Sequence, residues 1–316
     1  MARYPYRSDL KPPTHLNLPD LSDPKLAPAV RVLVKNLRAQ VRGFTPPPKV
    51  QARLIEVPAW DGTQIECFVL EPADVSAPLP GMLYCHGGGF FLPLQPMMLQ
   101  LAAQYADEIQ MRIYLPEYRF LPEYASPYPF RDCLSVWRWL CDHAAQEKVN
   151  TARLLLYGES AGGTLAAGLA LWQRAHGGPV PCGQLLIYPV LDNRCSRYAS
   201  MRKYSEAAWP LRANLAMWRD YLKNGQDGLE DYLVPGRVSA LAGLPPAYIE
   251  PQEIDILHDE AVAYAAKLQQ AGNTVVLNPV AGSYHGFDVE AQNPVVQQAV
   301  RQRIAAMTRF LKNSDK

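Results

Sequence analysis

Apolar runs of strand length alternate with amphipathic helical patterns from residue 81 to the end of the chain. The predicted strands are residues 81–85, 111–115, 154–157, 185–188, 247–250 and 274–277. The predicted helices are residues 97–109, 130–145, the run that follows Ser160, 261–271 and 295–311. Such alternation predicts an α/β fold, with a mostly parallel sheet whose two faces are covered by helices.

The N-terminal part of the chain departs from this rhythm. Residues 28–41 show a helical pattern flanked by prolines, and Pro46-Pro47-Pro48 is typical of a stiff linker. Residues 52–57 and 63–70 are predicted strands, and the Asp61-Gly62 dipeptide between them is common in hairpin turns. We therefore expect residues 1–48 to form a segment outside the sheet.

One long segment, residues 193–242, interrupts the alternation of strands and helices. It carries helical signals but no convincing strand, and it is too long for a structureless loop. We expect it to form part of a helical cap that packs with residues 1–48. Residues 49–192 and 243–316 would then form the main α/β domain.

The composition excludes several classes of partner. The 316 residues are 48% hydrophobic and carry a formal net charge of +1, with a pI of about 7.6. This balance provides no strong field for nucleic acid or for an anionic membrane. No apolar run reaches the roughly 18 residues of a transmembrane helix, and the polar, proline-rich start lacks a signal-peptide core. We expect neither nucleic acid nor membrane as a partner.

The cysteines favour a reducing compartment. Scattered cysteines without a C-x-x-C pair argue against a metal site and favour buried free thiols in the cytoplasm. They are Cys67, Cys85, Cys133, Cys141, Cys182 and Cys195.

A lone serine occupies an abrupt corner between a predicted strand and a predicted helix, in Gly158-Glu159-Ser160-Ala161-Gly162. A tight turn of this kind makes a serine protrude, and glycines two positions away relieve the crowding. The G-x-S-x-G pattern alone is weak evidence, and a turn with a capping serine is the alternative. Its position between strand and helix favours a nucleophile whose helix N-terminus attracts developing negative charge.

A glycine run, His86-Gly87-Gly88-Gly89, follows another predicted strand. Such glycines let backbone N–H groups approach a ligand, as the oxyanion of an acyl-transfer reaction requires. The alternatives are a flexible loop or a phosphate cradle, but the apolar residues 90–93 lack the Lys-Ser/Thr of a cradle. His86 itself is expected to be a structural anchor.

The base and the acid should follow the serine along the chain. His285 lies in a loop after the last predicted strand, whereas His258 begins a helical pattern, and we therefore favour His285. The acid should follow strand 247–250. Asp255 lies in the next turn and is favoured over Glu253, while Asp259 and Glu260 fit the first turn of a helix; these four are the candidates.

Five motifs together resemble the hormone-sensitive lipase-like esterases of the α/β-hydrolase fold, over most of the chain from residue 51. They are HGGGF (86–90), EYRFLPE (117–123), GESAGG (158–163), EIDILHDE (253–260) and YHGF (284–287). The resemblance implies a helical cap, no cofactor and no metal, and hydrolysis of short- to medium-chain carboxylic esters. It implies a nucleophile, acid and base at Ser160, Asp255 and His285, and an oxyanion hole at the backbone amides of Gly88, Gly89 and Ala161.

Three residues depart from the pattern of that family. Glu159 stands where Asp is common, Pro93 replaces a frequent glycine, and Ile256 replaces the usual proline after the acid. Proline removes an amide and stiffens its loop, so this edge of the pocket is expected to have its own shape. None of the three changes removes a catalytic group.

The sequence therefore predicts a cytoplasmic serine carboxylesterase. It leaves the oligomeric state open, although members of the family that it resembles are often homodimers. An amidase or formamidase on the same residues is one alternative, and a small-molecule receptor, which would lack the base, is another. The aromatic residues Phe90, Phe91, Trp209 and Trp218 suggest a closed apolar pocket, although the same side chains are at least as often simple core.

Overall fold

A computed structural model describes residues 4–11, 27–75, 77–226 and 228–313. The described residues form ten strands: β1 Val50–Pro58, β2 Gln64–Pro72, β3 Leu79–Cys85, β4 Arg112–Pro116, β5 Val149–Glu159, β6 Gly183–Ile187, β7 Ala247–Glu250, β8 Gln252–Ile254, β9 Val275–Leu277 and β10 Val280–Tyr284. They also form nine α-helices: α1 Ala27–Arg42, α2 Pro96–Ile109, α3 Tyr128–Asp142, α4 Ala161–His176, α5 Ala199–Lys203, α6 Leu211–Tyr221, α7 Glu230–Leu233, α8 His258–Gln270 and α9 Pro294–Asn313.

The central sheet has eight strands in the order β1-β2-β4-β3-β5-β6-β7-β9. Strand β2 pairs antiparallel with both β1 and β4, and every other pairing in this sheet is parallel. The predicted mostly parallel sheet is therefore confirmed. A second, small parallel pair, β8 with β10, was not among the predicted strands.

Helices cover both faces of the central sheet, because its strands are apolar on both sides. In β5, Leu154 and Leu156 pack into one core with α3, α4 and α8. The alternate residues Leu155 and Tyr157 pack into the other core with α2 and α9. A strand buried on both faces reads as a continuous apolar run, which is why periodicity of two is absent from residues 154–157.

The segment between β6 and β7 is helical, as its pattern predicts. It contains α5, α6 and α7, and its described residues include no strand. The N-terminal residues contact it: the Tyr4 ring meets that of Tyr204 at 5.6 Å, and the Tyr4 hydroxyl accepts from the N–H of Glu206 at 3.1 Å. The Tyr6 ring packs edge-on against Tyr284 of β10. Part of the predicted N-terminal segment, residues 12–26, lies outside the described residues.

All six cysteines lie in the described residues, and none of them forms a disulfide. Four are buried, whereas Cys141 and Cys182 are only partly buried, so the expectation of buried thiols is wrong for these two. In the parts of the chain that the structure describes, no helix has both the length and the apolar character that crossing a membrane would need.

Candidate active site

Ser160 occupies a strained turn between β5 and α4. Its φ of +52° and ψ of −123° lie in a region that residues with a side chain rarely adopt. A side chain at Gly158 would collide with the carbonyl of Gly162, and one at Gly162 would collide with the carbonyl of Cys85. Glycine is therefore required at both positions, which let α4 pack closely enough for the serine to project at the end of β5.

Ser160, His285 and Asp255 are joined in one chain of hydrogen bonds. Ser160 Oγ lies 2.9 Å from His285 Nε2, and His285 Nδ1 lies 2.8 Å from Asp255 Oδ2. His285 follows β10 and Asp255 follows β8, so the small sheet presents both side chains at the end of β5. Asp255 is 1% exposed, and its other oxygen accepts from the N–H of Leu257 at 3.1 Å.

The other three candidate acids form hydrogen bonds to groups other than His285. Exposed Glu253 accepts from the N–H of Gly282 at 2.7 Å, and Glu260 accepts from the N–H of Leu191 at 2.7 Å. Asp259 accepts from the N–H of Ser200 and contacts His258 Nδ1 at 2.9 Å. These carboxylates hold neighbouring segments together.

The glycine run lies against the serine. A side chain at Gly87 would come within 3.2 Å of Ser160 Cβ, and the carbonyl of Gly88 accepts from Phe91 and Leu92 at 3.0 Å each. Among the described residues, the N–H groups of Gly88, Gly89 and Ala161 have no protein acceptor. Unpaired N–H groups beside a serine can stabilise an oxyanion.

Comparison of the sequence with known protein families identifies the family of this chain. The profile of a family described as alpha/beta hydrolase fold matches residues 82–289. The chain belongs to the α/β-hydrolase family. Within it, the chain is a member of the hormone-sensitive lipase-like carboxylesterase family, as its motifs predict and its named relatives support.

The relatives of this α/β hydrolase include named esterases. Ethyl acetate hydrolase of Pseudomonas putida is 32% identical over 232 residues, which cover 72% of each chain. Carboxylesterase NlhH of Mycobacterium tuberculosis is 31% identical over 289 residues, 88% of this chain and 90% of the relative. The solved structure of a bacterial heroin esterase superposes with a TM-score of 0.82 at 30% identity, covering 92% of this chain and 93% of the other.

His86 of this α/β hydrolase is a buried anchor, as expected. Its ring stacks on that of Tyr118 at 4.1 Å, and the Tyr118 hydroxyl donates to the His86 carbonyl at 2.8 Å. Burial lowers the pKa of His86, which favours the neutral ring. The contacts fix the start of the glycine run.

Two aromatic residues flank His285. The Tyr188 ring meets the His285 ring edge-to-face at 4.8 Å, and the Trp209 ring lies 5.9 Å from it. The Trp209 indole also lies against Gly89, where a side chain would come within 2.9 Å of it. Sequence reasoning named Trp209 but missed Tyr188, although a residue at the carboxyl end of a central strand is itself a signal.

Glu159 is buried next to Ser160 in the chain, and its carboxyl lies within hydrogen-bonding distance of a phenol. Its carboxyl accepts from the Tyr84 hydroxyl at 2.7 Å. Burial, together with the nearby charge of Asp288, raises the pKa of Glu159 to about 7. The change from Asp to Glu keeps an ionisable carboxyl beside Ser160 and adds one methylene to its reach.

The aromatic residues predicted for a pocket divide into two groups. Phe90 stacks on Tyr221 at 4.1 Å, and Trp218 lies edge-on to the same tyrosine. These side chains belong to the apolar core, as does Phe91. Trp209 belongs to the same core, and among the four it is the one whose ring also lies beside both Gly89 and His285. Within the described residues no group of His, Cys, Asp or Glu is clustered to hold a metal.

Proposed function

We propose that the protein hydrolyses small carboxylic esters through an acyl-enzyme formed on Ser160. The chain belongs to the α/β-hydrolase family, and its relatives include proteins named as ester hydrolases. The observation that carries the proposal is the chain of hydrogen bonds from Ser160 through His285 to Asp255, set beside unpaired backbone N–H groups.

In the proposed first half-reaction, Ser160 Oγ attacks the ester carbonyl carbon while His285 Nε2 accepts the hydroxyl proton. Asp255 holds the imidazole with its Nδ1–H directed at the carboxylate and stabilises the imidazolium that forms. The tetrahedral intermediate then collapses, and His285 gives its proton to the departing alcohol. An acyl-enzyme on Ser160 remains.

In the proposed second half-reaction, water replaces the alcohol. His285 accepts a proton from the water as it attacks the acyl carbonyl, and then returns a proton to Ser160 Oγ as the carboxylic acid leaves. The N–H groups of Gly88, Gly89 and Ala161 would stabilise the oxyanion in both halves. Such donors are preorganised, because the turns that hold them are already formed.

The proposed substrates are short- to medium-chain esters. Trp209 lies over the space between Gly89 and His285, which limits the room for a bulky substrate. One relative, from Pseudomonas putida, is named for ethyl acetate, a small ester. We propose that residues 1–48 and 193–242 act as the cap of a catalytic domain formed by residues 49–192 and 243–316.

Six cysteines without a disulfide also support the cytoplasm as the proposed compartment. The near-neutral net charge supports the absence of a nucleic-acid partner. Light scattering on the purified protein tests whether the chain forms a homodimer.

Replacement of the nucleophile tests the proposal directly. Ser160→Ala should leave a folded protein without turnover, because loss of the nucleophile of such a triad costs on the order of 10⁶ in kcat. The measurement is nitrophenyl acetate hydrolysis, with circular dichroism as the control for folding. A variant that retained a tenth of the wild-type activity would remove Ser160 from the mechanism.

A further inference from the structure

Four residues near the base form a closed ring of hydrogen bonds, which we call the Arg303 ring: Tyr188, Glu250, Asp288 and Arg303. The N–H of Tyr188 donates to the carbonyl of Glu250 at 2.8 Å. The Glu250 carboxylate accepts from Arg303 Nε and Nη2 at 3.0 and 2.6 Å. Arg303 Nη1 donates to one Asp288 oxygen at 2.9 Å, and the Tyr188 hydroxyl donates to the other at 2.8 Å.

The Arg303 ring links the chain segment that leads to Asp255 with the chain segment that follows His285. Glu250 ends β7, and the chain continues directly through β8 to Asp255. Asp288 lies in the turn that follows His285. Arg303 of α9 bonds to both Glu250 and Asp288, so one guanidinium holds the two segments at a fixed separation.

Tyr188 extends the connection to the serine and to the imidazole itself. The carbonyl of Ile187, its neighbour, accepts from the N–H of Ser160 at 2.9 Å. Tyr188 has a φ of +34°, which is unfavourable for a bulky residue. Its ring contacts His285 edge-to-face, at an interplanar angle of 62°. The phenol therefore forms one wall against which the imidazole rests.

The charges of the ring make this arrangement stiff. Arg303 and Glu250 are both 0% exposed. Removing one partner of a buried ion pair leaves an uncompensated charge, so the intact arrangement is strongly favoured over any partly broken one. Burial, reinforced by Asp288, raises the pKa of Tyr188 well above its ordinary value. The phenol therefore keeps its proton and remains a hydrogen-bond donor.

We propose that Asp288 and Arg303 are positioning residues for ester hydrolysis, acting through Tyr188 on the imidazole of His285. The proposal rests on the function proposed above, in which His285 is the base. None of the three needs to touch substrate. Their effect is to hold the imidazole between Ser160 and Asp255 at hydrogen-bonding distance from both.

Three substitutions loosen the ring to different degrees. Tyr188→Phe removes one oxygen and keeps the aromatic wall, so it is the variant most certain to fold. Asp288→Asn keeps the shape of the side chain and removes its charge. Arg303→Lys keeps the charge but cannot bond to both carboxylates with the same fork of donors.

Two matched controls make the same kinds of substitution outside the Arg303 ring, and they show whether an effect depends on where the residue lies. Tyr198→Phe removes a phenol–carboxylate hydrogen bond of 2.6 Å to the buried Asp192, outside the Arg303 ring. Arg301→Lys makes the arginine substitution on the exposed side of the same helix. Both controls should keep the wild-type kcat.

The experiment measures kcat per active site. The nitrophenol released when an excess of diethyl nitrophenyl phosphate reacts to completion with Ser160 counts the active sites in each preparation, because this end point does not depend on the acylation rate. A structural defect lowers that count, whereas misplacement of the base lowers the acylation rate and kcat per counted site. We expect a fall of between about tenfold and a hundredfold for Asp288→Asn and Tyr188→Phe, since displacements of about 1 Å reach a hundredfold. KM should change little.

The outcomes are distinguishable from those that test the function itself. If Tyr188→Phe and Asp288→Asn turn over per counted site within twofold of wild type, the positioning role is overturned. If the kcat of these two variants falls while both controls keep the wild-type kcat, the positioning role is supported. Absence of esterase activity in the wild-type protein would instead overturn the proposed function.

Discussion

At the scale of single residues, Asp255 and Glu253 are near neighbours with different surroundings. Asp255 is buried and bonded to His285, whereas Glu253 is exposed and bonded to the N–H of Gly282. Asp255→Asn should lower kcat by about 10⁴, because the amide presents the wrong partner to the imidazole. Glu253→Gln keeps an acceptor for Gly282 and should change kcat far less. Steady-state kinetics of both variants measure the difference, and the reverse ranking would move the acid to Glu253.

Glu159 provides a prediction about pH. Burial and the nearby charge of Asp288 raise its pKa from an ordinary 4.5 to about 7 in the folded protein. A carboxyl whose pKa is raised by folding binds its proton more tightly in the folded state. The free energy of unfolding should therefore fall as the pH rises from about 4.5 to about 7, by about 3 kcal/mol at most. A cavity of about 620 Å³ lined by Glu159 and Asp288 gives the proton a route to solvent.

Glu159→Gln removes this contribution, since an amide does not ionise in that range. The variant should gain stability relative to wild type as the pH rises from 5 to 8. Urea unfolding at a series of pH values measures the difference, and Glu123→Gln, at an exposed carboxyl, is the control. Parallel stability profiles for wild type and Glu159→Gln would place the ionisation of Glu159 outside this window.

At the scale of elements, the strands with continuous apolar runs could be predicted and their ends could not. The pattern places one strand at 154–157, whereas β5 runs over Val149–Glu159. The additional residues are polar or mixed, and Val149 is held by pairing with Leu79 of β3. Pairing with a strand that is distant in the sequence determines where β5 begins and ends. A local apolar pattern carries no information about that pairing.

Strands β8 and β10 show the same limit more strongly. Each is short, and Gln252–Ile254 has no apolar run by which a strand is recognised. The two strands pair with one another although they are far apart in the sequence. The Glu253 carboxylate of β8 accepts a hydrogen bond from the N–H of Gly282 in β10. Even so, the sequence favours the residues that follow them, Asp255 and His285, as acid and base, and the structure brings the two within hydrogen-bonding distance of each other.

The Arg303 ring could not be predicted for a related reason. An arginine in an amphipathic C-terminal helix is ordinarily exposed, whereas Arg303 is fully buried. Its partners Glu250 and Asp288 belong to other elements, and nothing in the local pattern of α9 identifies them. Only the packing of α9 against the end of β7 brings the three charges together.

At the scale of the whole molecule, the segment between β6 and β7 places one indole, that of Trp209, beside Ser160's neighbours Gly89 and His285. A side chain at Gly89 would come within 2.9 Å of the Trp209 indole, whose ring lies 5.9 Å from that of His285. Its indole N–H donates to the fully buried Asn214 at 3.1 Å. Because the indole is held in place, its position over the site is a fixed feature of the fold, and it should limit the size of the substrate.

The profile of activity against acyl length tests this limit. Each methylene buried should contribute about 0.8 kcal/mol until the space is filled. We therefore expect kcat/KM to rise to an optimum at about two to six carbons and then to fall. Trp209→Ala should move the optimum to longer chains, whereas Trp60→Ala, at a half-exposed indole in the β1–β2 connection, should not. The measurement is kcat/KM over nitrophenyl esters from acetate to palmitate. Efficiency that rises through the longest chains in the wild-type protein, or activation at an oil–water interface, would contradict a closed site and indicate a lipase.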